Sequence, residues 1–298
     1  MSALVGLIKT MRPKQWTKNA FIFAGIVFDG QLFVLDSFAR VLIGFVLFCL
    51  LAGSVYIIND LVDIERDRAH PKKRTRPIPS GSLPISIAIA AAVILPIVVL
   101  TAAAAIRWQF AVVLLMYLIL QLLYSFSLKH IVILDVLAIT SGFVLRVAAG
   151  VVIVQVAAFS PWLYAVTALL SLFLAVGKRR QELLQMAEKS GDVRITLEQY
   201  NLPLLDDMLR MVMTGTLIAY LLYAIEAPSV LLAGNNLALL TVPFVLYGMF
   251  RYLFLIHVKG EGSAPDEVLL KDRPLQIAIL LWGAAFIVIL YIAPRFVS

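Results

Sequence analysis

Asn59, Asp60, Asp63 and Asp67 follow directly on the apolar run 41–58. At about 100° per residue in a helix, these four fall within an arc of roughly 100°. One helix edge would then carry three carboxylates and an amide, with Tyr56 just beneath and Glu65 pointing away. Three like charges this close repel one another unless a cation sits among them. Oxygen-only donors suit a hard ion such as Mg2+, which commonly bridges carboxylates to phosphates instead of filling a protein cage. The plain alternative is a solvated helix end beside a membrane. Against it stand the cations that follow immediately: Lys72, Lys73, Arg74 and Arg76.

A juxtamembrane basic cluster by itself means anchoring or contact with anionic lipid. Beside a carboxylate edge it gains a second reading. Carboxylates hold a metal, the metal holds a diphosphate, and cations hold the remaining phosphate charge. Three other chain segments carry similar chemistry. Residues 12–19 read RPKQWTKN and end in Lys18 and Asn19, residues 124–129 run from Tyr124 to Lys129, and residues 177–182 read GKRRQE, with Lys178, Arg179 and Glu182. Trp16 and Tyr124 also suit interface anchoring. Together the four ends suggest a phosphate-rich pocket at one membrane face. Arg146 lies near the middle of an apolar run, where a charge is costly and marks either a functional site or a structural pairing. Asp135 is on nearly the same face but about 16 Å away along a helix, too far for direct pairing. His70, His130 and His257 form no ligand set; no Gly-rich phosphate loop, nucleophile elbow or HExxH is present.

The elements that must position these residues are membrane spans. The chain of 298 residues is 62% apolar and 14% charged, which does not suit a soluble globule. A span needs about 20 mostly apolar residues. Nine are expected, at roughly 18–35, 38–60, 83–105, 108–127, 134–156, 160–177, 206–227, 231–256 and 275–293. The expected class is an all-α polytopic membrane protein, read as one domain over 1–298. Pro71, Pro77, Pro79 and Pro84 end the acidic helix and make the basic segment a loop. The first ten residues lack the core and cleavage site of a signal peptide. Cys49 lies in a span and reads as a small core hydrophobe. With the N-terminus in the cytoplasm, every Lys and Arg falls on a cytoplasmic segment except Arg40, Arg107, Arg146 and Arg295. The positive-inside rule supports that topology in an inner (plasma) membrane, with the C-terminus on the opposite side. The net charge of +7 is mostly this bias; no nucleic-acid footprint is read from it.

The spacing Asn59-Asp60-x-x-Asp63-x-x-x-Asp67 resembles the first aspartate motif of the UbiA superfamily of intramembrane prenyltransferases. That likeness extends along nearly the whole chain through the helix pattern and the tyrosine–lysine end at Tyr124 and Lys129. It implies a UbiA-like bundle that binds a diphosphate through Mg2+, with Asn59, Asp60, Asp63 and Asp67 as ligands. Members commonly place a second acidic motif after the sixth span. Here that region is dominated by Lys178, Arg179 and Arg180, and Asp192 stands alone. The exchange is similar to one branch, the decaprenyl-phosphate phosphoribosyltransferases, as are the strings RPKQWTKN, NDLVDIERDRAHPKKRTRPI, SGFVLRVAAG and GKRRQEL. The branch implies phosphoribosyl diphosphate as donor and a polyprenyl phosphate as acceptor. Tyr56, Lys18, Asn19, Arg68, Lys73, Arg74, Arg76, Tyr124, Lys129, Arg146, Lys178, Arg179 and Glu182 are the expected substrate-binding residues.

Two other functions compete. One is ordinary prenyl transfer from a prenyl diphosphate to an aromatic or glycerol-phosphate acceptor, which the first acidic motif fits equally. The basic region after Gly177 favours the phosphoribosyl branch. The other is a transporter or lipid-binding membrane protein, against which stand the small number of charges within spans and the lack of an evident repeat with broken helices. Prenyl chain length and oligomeric state are not legible, and an oligomer is left open.

Overall fold

The computed structural model describes residues 3–71, 73–156, 160–188, 195–231, 236–260, 268 and 271–293. Among them the regular structure is helical. The order is α1 (Ala3–Thr10), a 3-10 stretch (Pro13–Phe23), α2 (Ala24–Phe28), α3 (Leu35–Val62), α4 (Ile64–Ala69), α5 (Ile85–Ile106), α6 (Trp108–Phe126) and α7 (Leu134–Val154). It continues with α8 (Pro161–Glu188), α9 (Leu202–Leu231), α10 (Val242–His257) and α11 (Arg273–Ile287), which ends in a π-turn, Val288–Ile292.

Eight helical segments among the described residues are long and apolar enough to cross a membrane. The first expected span, 18–35, is not one helix. It divides into the end of the 3-10 stretch and the five-residue α2. The reasons are local: Asn19 is a buried polar residue that bonds sideways, and Gly30 takes a positive φ of 73°. Beyond it, Gln31 bonds Asp29 and accepts from the Ser37 hydroxyl, which forms a polar turn ahead of α3.

The chain forms two compact units, Met1–Phe126 with Leu145–Ala157, and Ser127–Val144 with Ala158–Ser298. In the first, α3 packs against the 3-10 stretch, α5 and α6. Ile22, Phe48, Leu51, Phe110, Leu114 and Ile153 fill its core. Lipid tails are as apolar as leucine, so close packing must hold such helices together. Two glycines make that approach possible. A Cβ on Gly150 would lie 1.8 Å from the Ile22 carbonyl oxygen, and one on Gly53 would lie 2.6 Å from the Met11 side chain. In the second unit α8 and α9 pair extensively, and α10 packs on α11 and α9. Phe173, Leu205, Leu209, Tyr252 and Leu255 are buried there. Ile97 on α5 and Leu280 on α11 are exposed, as lipid-facing side chains should be.

Candidate active site

The first unit gathers the acidic motif and most of the basic loop. α3 delivers Tyr56, Asn59 and Asp60. At Asp63 the backbone leaves helical geometry (φ −90°, ψ 11°), and α4 carries Asp67. The expected single helix edge is therefore broken at its middle carboxylate. Asp60 and Asp67 still turn inward, 2% and 1% exposed. They are held by cations. Arg76 Nη1 lies 3.2 Å from Asp60 Oδ1 and 2.5 Å from Asp67 Oδ2. Arg12 Nη2 donates to the same Asp60 oxygen at 2.7 Å. Lys73 Nζ stands 3.9 Å from Asp67 Oδ1. Arg12 reaches Asp60 because its own φ of 53° turns the chain between α1 and the 3-10 stretch. Its guanidinium also lies 4.8 Å from the Tyr56 ring centroid, within cation–π range.

The loop that presents Arg76 is fixed beneath it. Ile78 and Leu83 are fully buried beside Met11, Ile57 and Ala88. The Leu83 amide donates to the Pro77 carbonyl and the Ser80 amide to that of Arg76. A juxtamembrane basic loop thus becomes a structured rim over two buried carboxylates.

The expected ligand set is not drawn together as such. No three His, Cys, Asp or Glu side chains among the described residues gather as a metal site. Asn59 and Asp63 are half-buried, and their side chains bond to no other described residue. The donor chemistry nevertheless fits a hard divalent cation: all donors are oxygen, and two buried carboxylates from α3 and α4 already converge on one cationic nitrogen.

Other expected residues are placed differently. Arg68 does not join the carboxylate pair; it bonds Glu65 at 2.7 Å on the exposed face, because the helical turn carries both outward. Arg74 is exposed, and Tyr124 and Lys18 are half-buried. Lys72 and Asp192 lie outside the described residues. His70 is a loop residue, whose Nδ1 accepts from the Lys73 amide at 3.3 Å. Asn19 is buried and turned to Arg146, whose Nε donates to its Oδ1 at 2.9 Å. Arg146 also donates to the Tyr117 hydroxyl at 2.9 Å, and the Asn19 amide reaches Cys49 Sγ at 3.3 Å. The intramembrane arginine is thus a hub that joins the 3-10 stretch, α6 and α7.

In the second unit the run 178–182 at the end of α8 is a set of staples. Arg179 Nε donates to Asp135 of α7 at 2.5 Å, and its Nη1 bonds Glu182. Arg180 bonds Asp206 of α9 at 2.6 Å, and Gln181 donates to the Gly260 carbonyl at 2.7 Å. Lys178 is the more exposed member, 4.0 Å from Glu182. Arg179, expected on a phosphate, is 1% exposed and engaged by two carboxylates. Lys129 is half-buried in the same unit.

Asp135 and Tyr200 were not among the expected site residues. The Tyr200 hydroxyl donates to Asp135 at 2.8 Å and accepts from the Ile133 amide at 2.8 Å. Burial, and then the Asp135 carboxylate, push the Tyr200 phenol up to about 12. Ile133 has φ of 70°, a rare conformation for a β-branched residue. An acid at the head of an apolar helix was the available signal for Asp135.

Comparisons with known proteins agree with this fold. The model of the UbiA prenyltransferase family matches residues 20–271. The decaprenyl-phosphate phosphoribosyltransferase of Corynebacterium glutamicum is 36% identical over 98% of this chain and 88% of its own length. That of Mycolicibacterium smegmatis is 37% identical over 93% of this chain and 90% of its own. Among solved structures, a UbiA homologue from Archaeoglobus fulgidus bound to DMAPP and Mg2+ superposes with a TM-score of 0.69 at 18% identity, covering 96% of this chain and 99% of that one. The helical architecture, the lipid-suited surface and these likenesses lead to one statement: the chain is an integral membrane protein that belongs to the UbiA prenyltransferase family.

Proposed function

We propose that the protein transfers 5-phosphoribose from phosphoribosyl diphosphate to a polyprenyl phosphate and releases pyrophosphate. The observation that carries this reading is the near full-length likeness to two decaprenyl-phosphate phosphoribosyltransferases. The buried carboxylates ringed by Arg12, Lys73 and Arg76 suit the donor diphosphate. Asp60, Asp63 and Asp67, with Asn59, would hold Mg2+, which offsets charge on the leaving diphosphate. Arg12, Lys73 and Arg76 would neutralise the remaining phosphate oxygens. The acceptor oxygen is already ionised, so no strong general base is needed. Its lone pair attacks the anomeric carbon as the bond to pyrophosphate breaks. Positioning and fixed charge supply most of the catalysis. We place the N-terminus and these loops in the cytoplasm on the charge bias, and read the chain as one functional domain.

Prenyl transfer is the second reading, favoured by the fold shared with a homologue whose structure holds DMAPP and Mg2+. One assay separates them. Purified protein given labelled phosphoribosyl diphosphate and polyprenyl phosphate should yield lipid-linked phosphoribose and pyrophosphate with Mg2+, and none with a chelator. Product only from a prenyl diphosphate and an aromatic acid would award the second reading. Asp63→Ala should abolish turnover, whereas Glu65→Ala, on the exposed face, should keep it.

A further inference from the structure

We propose that the Arg76 guanidinium is an internal competitor of the divalent cation, which holds Asp60 and Asp67 until the metal takes the same oxygens and then turns to the diphosphate. This rests on the metal-assisted reading above and goes beyond it by giving Arg76 two successive partners.

Arg76 Nη1 contacts Asp60 Oδ1 and Asp67 Oδ2 together, at 3.2 and 2.5 Å. These carboxylates come from different helices, and that nitrogen lies where a cation shared by both would lie. A hard ion needs oxygens at about 2.0–2.1 Å, so nitrogen and metal cannot occupy the place together. Buried carboxylates also cannot be left without a cation at small cost. Arg76 can therefore leave only as another positive charge arrives.

The side chain is built to move and the backbone is not. Arg76 is 32% exposed along its side chain, while its loop is pinned by Ile78 and Leu83 and by amide bonds on both sides. Arg12 has its own bond to the same Asp60 oxygen. A displaced guanidinium therefore stays beside the carboxylates, where a metal-borne diphosphate would sit. The planar fork pairs with phosphate oxygens in a bidentate manner that an ammonium does not reproduce. No covalent bond changes in this exchange. The carboxylates substitute a metal for an arginine, and the arginine substitutes a phosphate for the carboxylates. Metal and diphosphate should consequently bind cooperatively, each weakly alone.

The test uses Mn2+ and inorganic pyrophosphate with the full chain in detergent, followed by electron paramagnetic resonance of free Mn2+. Without pyrophosphate, Arg76→Met should bind Mn2+ about five- to tenfold more tightly than wild type, within the usual range of site coupling. Pyrophosphate should tighten Mn2+ binding strongly in wild type and much less in Arg76→Met, with Arg76→Lys between. Equal or weaker Mn2+ affinity in Arg76→Met overturns the exchange and leaves the donor assignment to its own assay. No Mn2+ binding in either protein overturns the exchange and the metal-assisted reading together. A second measurement needs only wild type. Phenylglyoxal labelling of Arg76, located by mass spectrometry, should rise with Mn2+ alone and fall when pyrophosphate is added. Labelling indifferent to Mn2+ overturns the proposal whether or not the variants fold.

Discussion

Arg179 of α8 and Asp135 of α7 form an ion pair at 2.5 Å whose side chains are 2% and 1% exposed. The pair is completed by Glu182 on the arginine and Tyr200 on the aspartate. Removing one member of such a buried pair leaves an uncompensated charge, at a cost of about 3–5 kcal/mol. Arg179→Ala and Asp135→Ala should each lower the unfolding temperature in detergent sharply. The double variant should be less damaged than the two single losses added together. Arg179→Lys keeps the charge and loses the planar fork, so its loss should show in stability before it shows in KM. If Arg179→Lys instead raises KM for one phosphate substrate at unchanged stability, direct phosphate contact is the better account.

Arg146 should behave as a hub of the first unit. Its Nε and Nη2 donate to two different elements, Asn19 and Tyr117, and its guanidinium lies 4.9 Å from the Tyr117 ring centroid. Lysine offers one ammonium and cannot reach both acceptors with the same geometry. Arg146→Lys should cost about 1.5–3 kcal/mol, the value of a hydrogen bond to a charged group. Tyr117→Phe should cost less, since Asn19 and the ring face remain. Unfolding midpoints of the three proteins in one detergent would order them. An Arg146→Lys midpoint equal to wild type would remove the hub role.

The acidic motif and most of the helices were legible in the chain because both are local signals. Asp60 and Asp67 lie within eight residues of each other, and spans announce themselves as long apolar runs. The break at Asp63 was not legible: periodicity presumes that a helix continues, and nothing at 63 forbids it. Residues 18–35 misled for a related reason. Composition there is apolar enough, but Asn19 and Gly30 set the local geometry, and what Asn19 bonds is an arginine 127 positions away. Arg179 shows the limit most clearly. A run of cations at a helix end reads alike whether it meets phosphate or carboxylate, and Asp135 and Asp206 reach it only through the fold.

The bond between Arg251 and Asp272 gives a pH-dependent prediction. Arg251 donates through Nε and Nη2 to both carboxylate oxygens, at 3.1 and 2.8 Å. Asp272 also caps α11, accepting from the Leu275 amide at 2.9 Å. The Arg251 hydrogen bond, against the opposing effect of burial, holds the Asp272 carboxyl below its usual range. A carboxylate with a depressed folded value adds stability above its unfolded pKa of about 3.9 and loses it as pH falls through the folded value. Asp272→Asn keeps an oxygen for the cap but removes the charge, so it should unfold earlier than wild type at neutral pH. Asp272→Ala removes the cap as well, which adds about 1 kcal/mol of loss. Below the folded value, wild type should converge on Asp272→Asn, because its own carboxyl is then neutral. Unfolding midpoints followed from neutral pH to well below the usual carboxylate value would display that convergence. A gap between wild type and Asp272→Asn that stays constant across this window would mean that the charge on Asp272 contributes nothing, and that only its cap matters.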